Sequence, residues 1–585
     1  MKKFSRAASA RGLWAIALSS GGLLAGLASC TGRILEPGTL GGSNGAAAVG
    51  GADGTGASGG GGGAGGVQPK ACSDDPRDTD PGPSPMRLLS REQYLNTIHD
   101  LVGDVADLAS LFDQNGDPSS FGLVQPDVSQ VELERFQQAA DLVAAAVVAD
   151  KARLSALVPC SAGTSQRDCA KSFVESFGAR AYRAPLGDAT DIDRHLALYD
   201  VGAKTSHDHG IEMVLRGMLQ APRFLYRVEL GTTEQIGPKA VKLSGYEVAA
   251  RLSYTIWNTA PDATLIDAAR SGALSTADGV TRELERLLAD PRGSNVVRRF
   301  LENFVHLADV GNVLKDEPLF PEWQNAALRS AMRDQARSFF DQVLNVEGGR
   351  LDALLTTKTV FVNQALAPYY GVTAGSAFQR IQVGGGKAAG LLTLPAFLTL
   401  LAKPDESSPI YRGKFVRESL LCQQLPAPPP NVPRPPEVTP GVSTRERLRE
   451  HEVNTACSSC HKLMDPIGFG FEQYDAIGRY RTSDGGKAID ASGEVVRTRD
   501  MDGAFSGVSE LAQKLAASAE VRECMARQWF RFMLSRFEQS GDECSLNNLF
   551  EAFRAADSNL NVLPKAVVET DAFLYRRPID SQVSP

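Results

Sequence analysis

Cys457-Ser458-Ser459-Cys460-His461 holds the residue types and spacing most able to do chemistry in this chain. Two thiols three apart, followed at once by a histidine, suit covalent haem: the sulfurs add to the vinyl groups while the imidazole ligates the iron. Other uses fit less well. Zinc held by His451, Cys457, Cys460 and His461 would require the adjacent Cys460 and His461 to ligate the same ion. A thioredoxin-like redox pair would need a βαβ setting that the flanking pattern lacks. Met464 lies three residues beyond His461, so it leaves the same side of the same helix and cannot reach the opposite haem face; packing at the haem edge is expected. Asp465-Pro466 is expected to end that helix, because proline disfavours helical geometry in its predecessor. Phe469, Phe471 and Tyr474 follow as aromatics that could wall a haem or simply fill a core.

Two other clusters read as ordinary structure. Ser206-His207-Asp208-His209 is expected to be an exposed helix start rather than half of a metal site. Asp113-Gln114-Asn115-Gly116-Asp117 opens like a calcium loop but lacks the remaining spacing and the terminal Glu, so it reads as a polar turn. No Ser/His/Asp elbow, phosphate loop or dinucleotide fingerprint is present, and the carboxylates are too scattered to nominate a hydrolytic pair. The residues therefore name no catalytic group and leave open whether the chain is an enzyme.

Haem attachment takes place outside the cytoplasm, and the amino terminus carries an export signal. Lys2, Lys3, Arg6 and Arg11 precede the apolar run 12–28, which Ser19-Ser20-Gly21-Gly22 interrupts and which is short for a membrane span. Leu27-Ala28-Ser29-Cys30 resembles a bacterial lipobox, which implies acylation of Cys30 and attachment to a membrane through the lipid. Thr31 after it resembles Gram-negative lipoproteins of the outer membrane, so an outer-membrane or cell-surface protein is expected, with a periplasmic orientation also open. Residues 1–30 are thus a lipoprotein signal peptide. Residues 31–84, rich in Gly, Ala and Pro, bury too little apolar surface to fold and form a tether reaching roughly 40 Å. The net charge of −8 and the absence of a basic tract argue against nucleic acid as a partner.

Cysteine parity agrees with export. Of nine cysteines, Cys30 is assigned to lipid and Cys457 and Cys460 to haem, leaving an even set for disulfides. Cys160 and Cys169 flank a short polar segment and are expected to pair. Cys524 and Cys544 bracket a helix and its turn and are likewise expected to pair, leaving Cys72 and Cys422 by elimination.

The elements that must carry these residues are mostly helices. Ser90-x-x-Gln93 and Ser244-x-x-Glu247 form capping boxes, with Leu89/Tyr94 and Leu243/Val248 as hydrophobic staples. A helical face follows Ser275 through Val280, Leu284, Leu287 and Leu288, and residues 132–147, 171–177, 211–228, 325–346 and 520–537 also scan as helix. Strand signals are confined to 358–363 and 379–383. Residues 426–440 are proline-rich and are expected to run extended. The fold class is mainly α: several consecutive helical domains, a C-terminal cytochrome c-like haem segment, and little β. The expected divisions are 85–150, 151–232 (with Cys160 and Cys169), 233–375, 376–482 with the haem motif, and 483–578.

The stretches 87–96 (RLLSREQYLN), 221–227 (APRFLYR), 250–254 (ARLSY), 361–363 (FVN), 408–413 (SPIYRG) and 457–468 (CSSCHKLMDPIG) together resemble one bacterial secreted family. Its members consist of five consecutive domains of unknown function in the fifteen eighty-five to fifteen ninety-five series, and the likeness spans residues 84 to 578. Members are taken as cytochrome-like because of the C-x-x-C-H, and some carry a cellulose-binding label. The resemblance implies a cytochrome-like chain; with the motif itself, the expectation is a single haem c on Cys457, Cys460 and His461 that relays electrons to or from a redox partner protein or an extracellular substrate. Met501 lies downstream at a distance that resembles the distal methionine of single-haem cytochromes, with Met525, Met533 and His451 as rivals and an open sixth position as a further possibility. Two alternatives to electron transfer follow: a non-catalytic lipoprotein that binds an extracellular polysaccharide, and a haem peroxidase or oxidase with an open distal site.

Overall fold

Serine caps start many of the helices, and at Ser90, Ser129 and Ser244 the cap is a reciprocal hydrogen-bond exchange. In the computed structural model, which describes residues 72, 79–112, 128–426, 440–453 and 455–579, Ser90 caps helix Arg91–Val102 and Ser244 caps Gly245–Ile256. In both, the serine side chain accepts from the third residue's N–H while Gln93 or Glu247 returns a bond to the cap backbone. The chain divides into units 1–65 and 66–585; the first, with the expected export signal, Cys30 and most of the expected tether, lies outside the described residues. So do Asp113–Asp117, residues 427–439 of the proline-rich stretch and the side chains of 450–456. Among the described residues no helix is long and apolar enough to cross a membrane.

The fold is mainly α, with 58% of the structure helical and 8% in small antiparallel sheets. Two large hydrophobic cores organise it, with a small third cluster of Val360, Val362, Val383 and Ala388. The first lies between Leu89 and Ala260. Its centre is helix Gln130–Ala149, whose buried Ala139, Ala140, Val143, Ala144 and Val147 keep a flat face against helix His207–Gln220. Tyr94 packs there against Phe112, Phe136 and Phe224. The strand pair Arg87–Leu88 with Tyr226–Arg227 ties the start of this core to the segment that leaves helix His207–Gln220.

The second core gathers residues from Leu243 to Phe573, so one apolar interior serves most of the chain's C-terminal two-thirds. Trp529 stacks on Phe300 at 4.2 Å between ring centroids. The chain end is bound back to the entry of this core: Tyr575 pairs with Lys242 and Arg576 with Val241. Strands Thr359–Val362 and Gln379–Gln382 pair antiparallel where the sequence signals strand.

Two helices are shorter than their periodicity suggests. The stretch 211–228 does not run through: Ala221 is extended ahead of Pro222, a single turn Pro222–Leu225 follows, and Tyr226–Arg227 is a strand. Proline disfavours helical geometry in the residue before it, and the strand pairing then captures the next two. Helix Ala519–Leu534 stops at Ser535, which is left-handed (φ 52°), short of Phe537.

Candidate functional site

Cys457, Cys460, His461 and Met464 all lie on one helix, Thr455–Phe469. Spacings of three and four residues place Cys457, Cys460 and His461 on neighbouring positions of its surface. Both thiols are half-buried and unbonded, whereas the other six described cysteines form disulfides. The helix also differs from expectation in length. Pro466 does not end it; the helix continues to Phe469 with the proline inside.

Close packing explains how. Helix Pro409–Phe415 crosses the cysteine-bearing helix at two glycines: a Cβ on Gly413 would stand 1.9 Å from the Met464 carbonyl oxygen, and one on Gly468 the same distance from that of Pro409. Only glycine permits such an approach. Proline removes one rung of the hydrogen-bond ladder. Beside that gap the buried Arg417 guanidinium donates from Nε to the Leu463 carbonyl at 2.8 Å, a partner from outside the helix. Arg417 sits on the π-helical turn Val416–Leu420, which Cys422 anchors through its bond to Cys524. On another side, Gly493 of strand Ser492–Val495 packs on the Pro466 carbonyl.

His461 is oriented by Asp465 one turn on. Its Nδ1 lies 3.0 and 2.9 Å from the two carboxylate oxygens. The carboxylate accepts, so Nδ1 carries the proton and the ring's lone pair resides on Nε2. Asp465 is 0% exposed. The spacing of four from His461 is the signal that marks it, hidden behind the proline that follows.

Below the helix end lies a buried polar cluster. Arg412, fully buried, donates to the carbonyls of Phe471, Tyr474 and Asp475, fixing the turn that leaves the helix. Glu472 accepts from Ser407 and Arg481; burial pushes its carboxyl up, opposed by Arg481 and Arg412. Phe471 and Tyr474 belong to the second core, and Phe469 is buried beneath the Arg445 guanidinium. Their aromatic character thus serves packing.

The methionines are placed as follows. Met464 is buried on the cysteine-bearing helix. Met501 is a buried member of the second core, in the loop between strands Ser492–Val495 and Gly503–Ser506, where its N–H donates to Thr498. Met525 and Met533 are core residues of helix Ala519–Leu534. His451 lies on helix Thr444–Val453 with its side chain outside the described residues. Among the described residues no group of three or more His, Cys, Asp or Glu could hold a metal ion.

Cys160 is bonded to Cys169. The other two pairs correct the sequence expectation: Cys422 bonds Cys524, and Cys72 bonds Cys544. Cys524 projects toward the Val416–Leu420 turn, its sulfur 3.3 Å from the Ser419 carbonyl oxygen, and so meets Cys422 rather than Cys544. Cys544 begins its helix beside the incoming N-terminal segment, where Gly541 lies against Asp80 and Arg577 binds Asp80. Cys72 arrives on that segment.

The histidine pair at 207 and 209 starts a helix. Ser206 caps it, accepting from the His209 N–H. His207 pairs with the Tyr199 hydroxyl and His209 with Glu212, while Asp208 binds Lys151.

Fold and site together define a mainly helical, disulfide-stapled, multi-domain protein with a Cys-x-x-Cys-His helix packed onto its larger core. The chain is a multi-domain protein of a family of unknown function, built from five consecutive domains: DUF1587 matches residues 87–149, DUF1595 169–229, DUF1592 243–372, DUF1588 388–484 and DUF1585 502–573. Such domains are typically associated with cytochrome c-like proteins, and the fourth of them in chain order contains the two thiols and His461. No curated protein and no solved structure matches the chain.

Proposed function

We propose that the chain is a cell-envelope c-type cytochrome-like protein, lipid-anchored through Cys30, that carries a single covalent haem and exchanges electrons with a redox partner. Cys457 and Cys460 hold the group through thioethers, and His461 ligates the iron through Nε2. Bound there, the haem supplies one-electron chemistry. The chain's own contribution is to hold the two thiols and the imidazole on one helix, seated on the core by Gly413, Gly468 and Arg417.

The observation that carries this reading is the sorting of the cysteines. Six are committed to disulfides, while the two of the motif remain as thiols beside a histidine whose Nδ1 is already hydrogen-bonded. That donor set fits covalent haem, since thioether formation requires reduced sulfurs and the Nδ1 bond selects the tautomer that ligates through Nε2.

Protein purified from a strain that matures cytochromes c is expected to retain haem after denaturation, and Cys457→Ala with Cys460→Ala is expected to lose it. Absence of covalent haem from the unmodified protein overturns the proposal. With haem present, a methionine-to-iron charge-transfer band supports the electron carrier with Met501 among the candidate ligands. Binding of carbon monoxide or peroxide to the iron instead favours a reactive, open site.

A further inference from the structure

We infer that Asp465 is a positioning residue that makes His461 a strongly donating ligand and lowers the reduction potential of the group it holds. This rests on the haem reading and goes beyond it by naming the redox poise and the residue that sets it.

The argument begins with a cost. A carboxylate removed entirely from water is expensive unless it is paired and hydrogen-bonded. Buried ionic groups elsewhere in this chain meet that condition: Glu229 is bound by Arg251, Glu472 by Arg481, and Asp542 by Arg536. Asp465 is as deeply buried, yet its sole hydrogen-bond partner among the described residues is the Nδ1 of His461. No Lys or Arg compensates it within ion-pair distance among those residues. An asparagine would fill the same space and accept the same hydrogen bond at lower desolvation cost. What the carboxylate adds is negative charge directed at one imidazole nitrogen.

That charge acts through the ring. Donation from Nδ1 to a carboxylate raises electron density at Nε2 and makes it a better ligand, more so than donation to a neutral carbonyl. A stronger donor stabilises the oxidised iron relative to the reduced, so the potential falls. The same bond fixes the ring's rotation on the helix, and Pro466 and Arg417 hold the backbone that carries Asp465 and His461. The helix is thus built so that the acceptor cannot drift from the imidazole.

The test compares Asp465→Asn, which keeps shape and hydrogen bond but removes the charge, with Asp465→Leu, which removes both. Covalent haem is quantified first in each protein, and the midpoint potential is then measured by redox titration. Both variants are expected to retain haem on Cys457 and Cys460. Asp465→Asn is expected to raise the potential by an amount equal to at least a tenfold change in the oxidised-to-reduced equilibrium, about 59 mV for one electron, and Asp465→Leu by more. In haem-free protein, nitrogen NMR of His461 is expected to show the Nδ1-protonated tautomer, and its loss in Asp465→Leu. Haem present with an unchanged potential in Asp465→Asn overturns this inference alone. Absence of haem from the unmodified protein overturns the haem reading and this inference with it.

Discussion

Gly413 lies so close to Met464 that a Cβ on the glycine would stand 1.9 Å from the methionine's carbonyl oxygen. The neighbouring atom is backbone, so it cannot rotate away, and Gly468 faces the Pro409 carbonyl in the same manner. The two contacts set the distance between the cysteine-bearing helix and helix Pro409–Phe415. Gly413→Ala or Gly468→Ala is expected to cost about 3 kcal/mol or more, at the upper end for overpacking. Chemical denaturation of each variant measures this. A similar alanine substitution at the open Gly375, where nothing lies within 4 Å, serves as the comparison and is expected to change little.

A second expectation concerns acid. Glu229 is buried and accepts from Arg251 Nε at 2.8 Å and Nη2 at 2.6 Å, with Arg87 3.9 Å away. Arg251 also donates to the carbonyls of Ala572 and Phe573, so this pair ties the domain junction to the chain end. Burial alone would raise the carboxyl, but Arg251, Arg87 and Arg227 outweigh it and hold it well below its ordinary value of 4.5. A carboxyl depressed in the folded state contributes stability that is complete above its unfolded value and is lost as pH falls toward the folded one. Glu229→Gln is therefore expected to be less stable by about 3–5 kcal/mol at neutral pH, the cost of leaving a buried partner unpaired. The gap should narrow as pH drops below 4.5. Urea unfolding of both proteins from pH 7 to pH 3 checks this, and a gap that stays constant across the range counts against it.

The disulfides should rank by the length of chain they close. Cys422–Cys524 spans 102 residues and Cys160–Cys169 spans 9. Chain entropy assigns these about 5 and about 3 kcal/mol respectively. Replacing Cys422 and Cys524 by alanine is expected to be the more damaging change, and to loosen the turn whose Arg417 holds the Leu463 carbonyl. Thermal unfolding of the two double variants, each against the parent, gives the order. Equal losses would show that local packing rather than loop closure dominates.

Local signals in the chain were legible because their physics is local. The capping boxes at Ser90 and Ser244 need only four residues to form, and both helices start where those residues stand. The strands at 359–362 and 379–382 carry β-branched residues, Thr359, Val360, Val362 and Ile381. Cys160 and Cys169, nine apart, can meet with little chain between them. Pro222 is a contrary case: a continuous apolar pattern ran through it, and the proline together with the Arg87–Arg227 strand pair broke the helix.

Contacts between distant segments were not legible. The pattern around Cys524 and Cys544 suggests a stapled hairpin, but which face of a helix a thiol occupies in the assembled core decides its partner. Cys524 faces Ser419 and Cys422, and Cys544 faces the N-terminal segment. Pro466 follows the same logic, since a proline that would end an isolated helix is retained inside one packed against Gly413 and met by Arg417. Asp465 sat within view at four residues from His461, yet spacing does not tell whether a carboxylate is solvated or buried against one imidazole.

The amino-acid sequence alone determined the mainly helical class, the capped helix starts at Ser90 and Ser244, and the three residues Cys457, Cys460 and His461 on which the proposed chemistry rests, because spacing along a chain fixes which groups can act together on one turn. Tertiary structure decided which cysteines pair, how the cysteine-bearing helix survives its proline, and that the Asp465 carboxylate is sealed from water with His461 as its partner. Those outcomes depend on burial and close approach, which arise only when segments distant along the chain share one core.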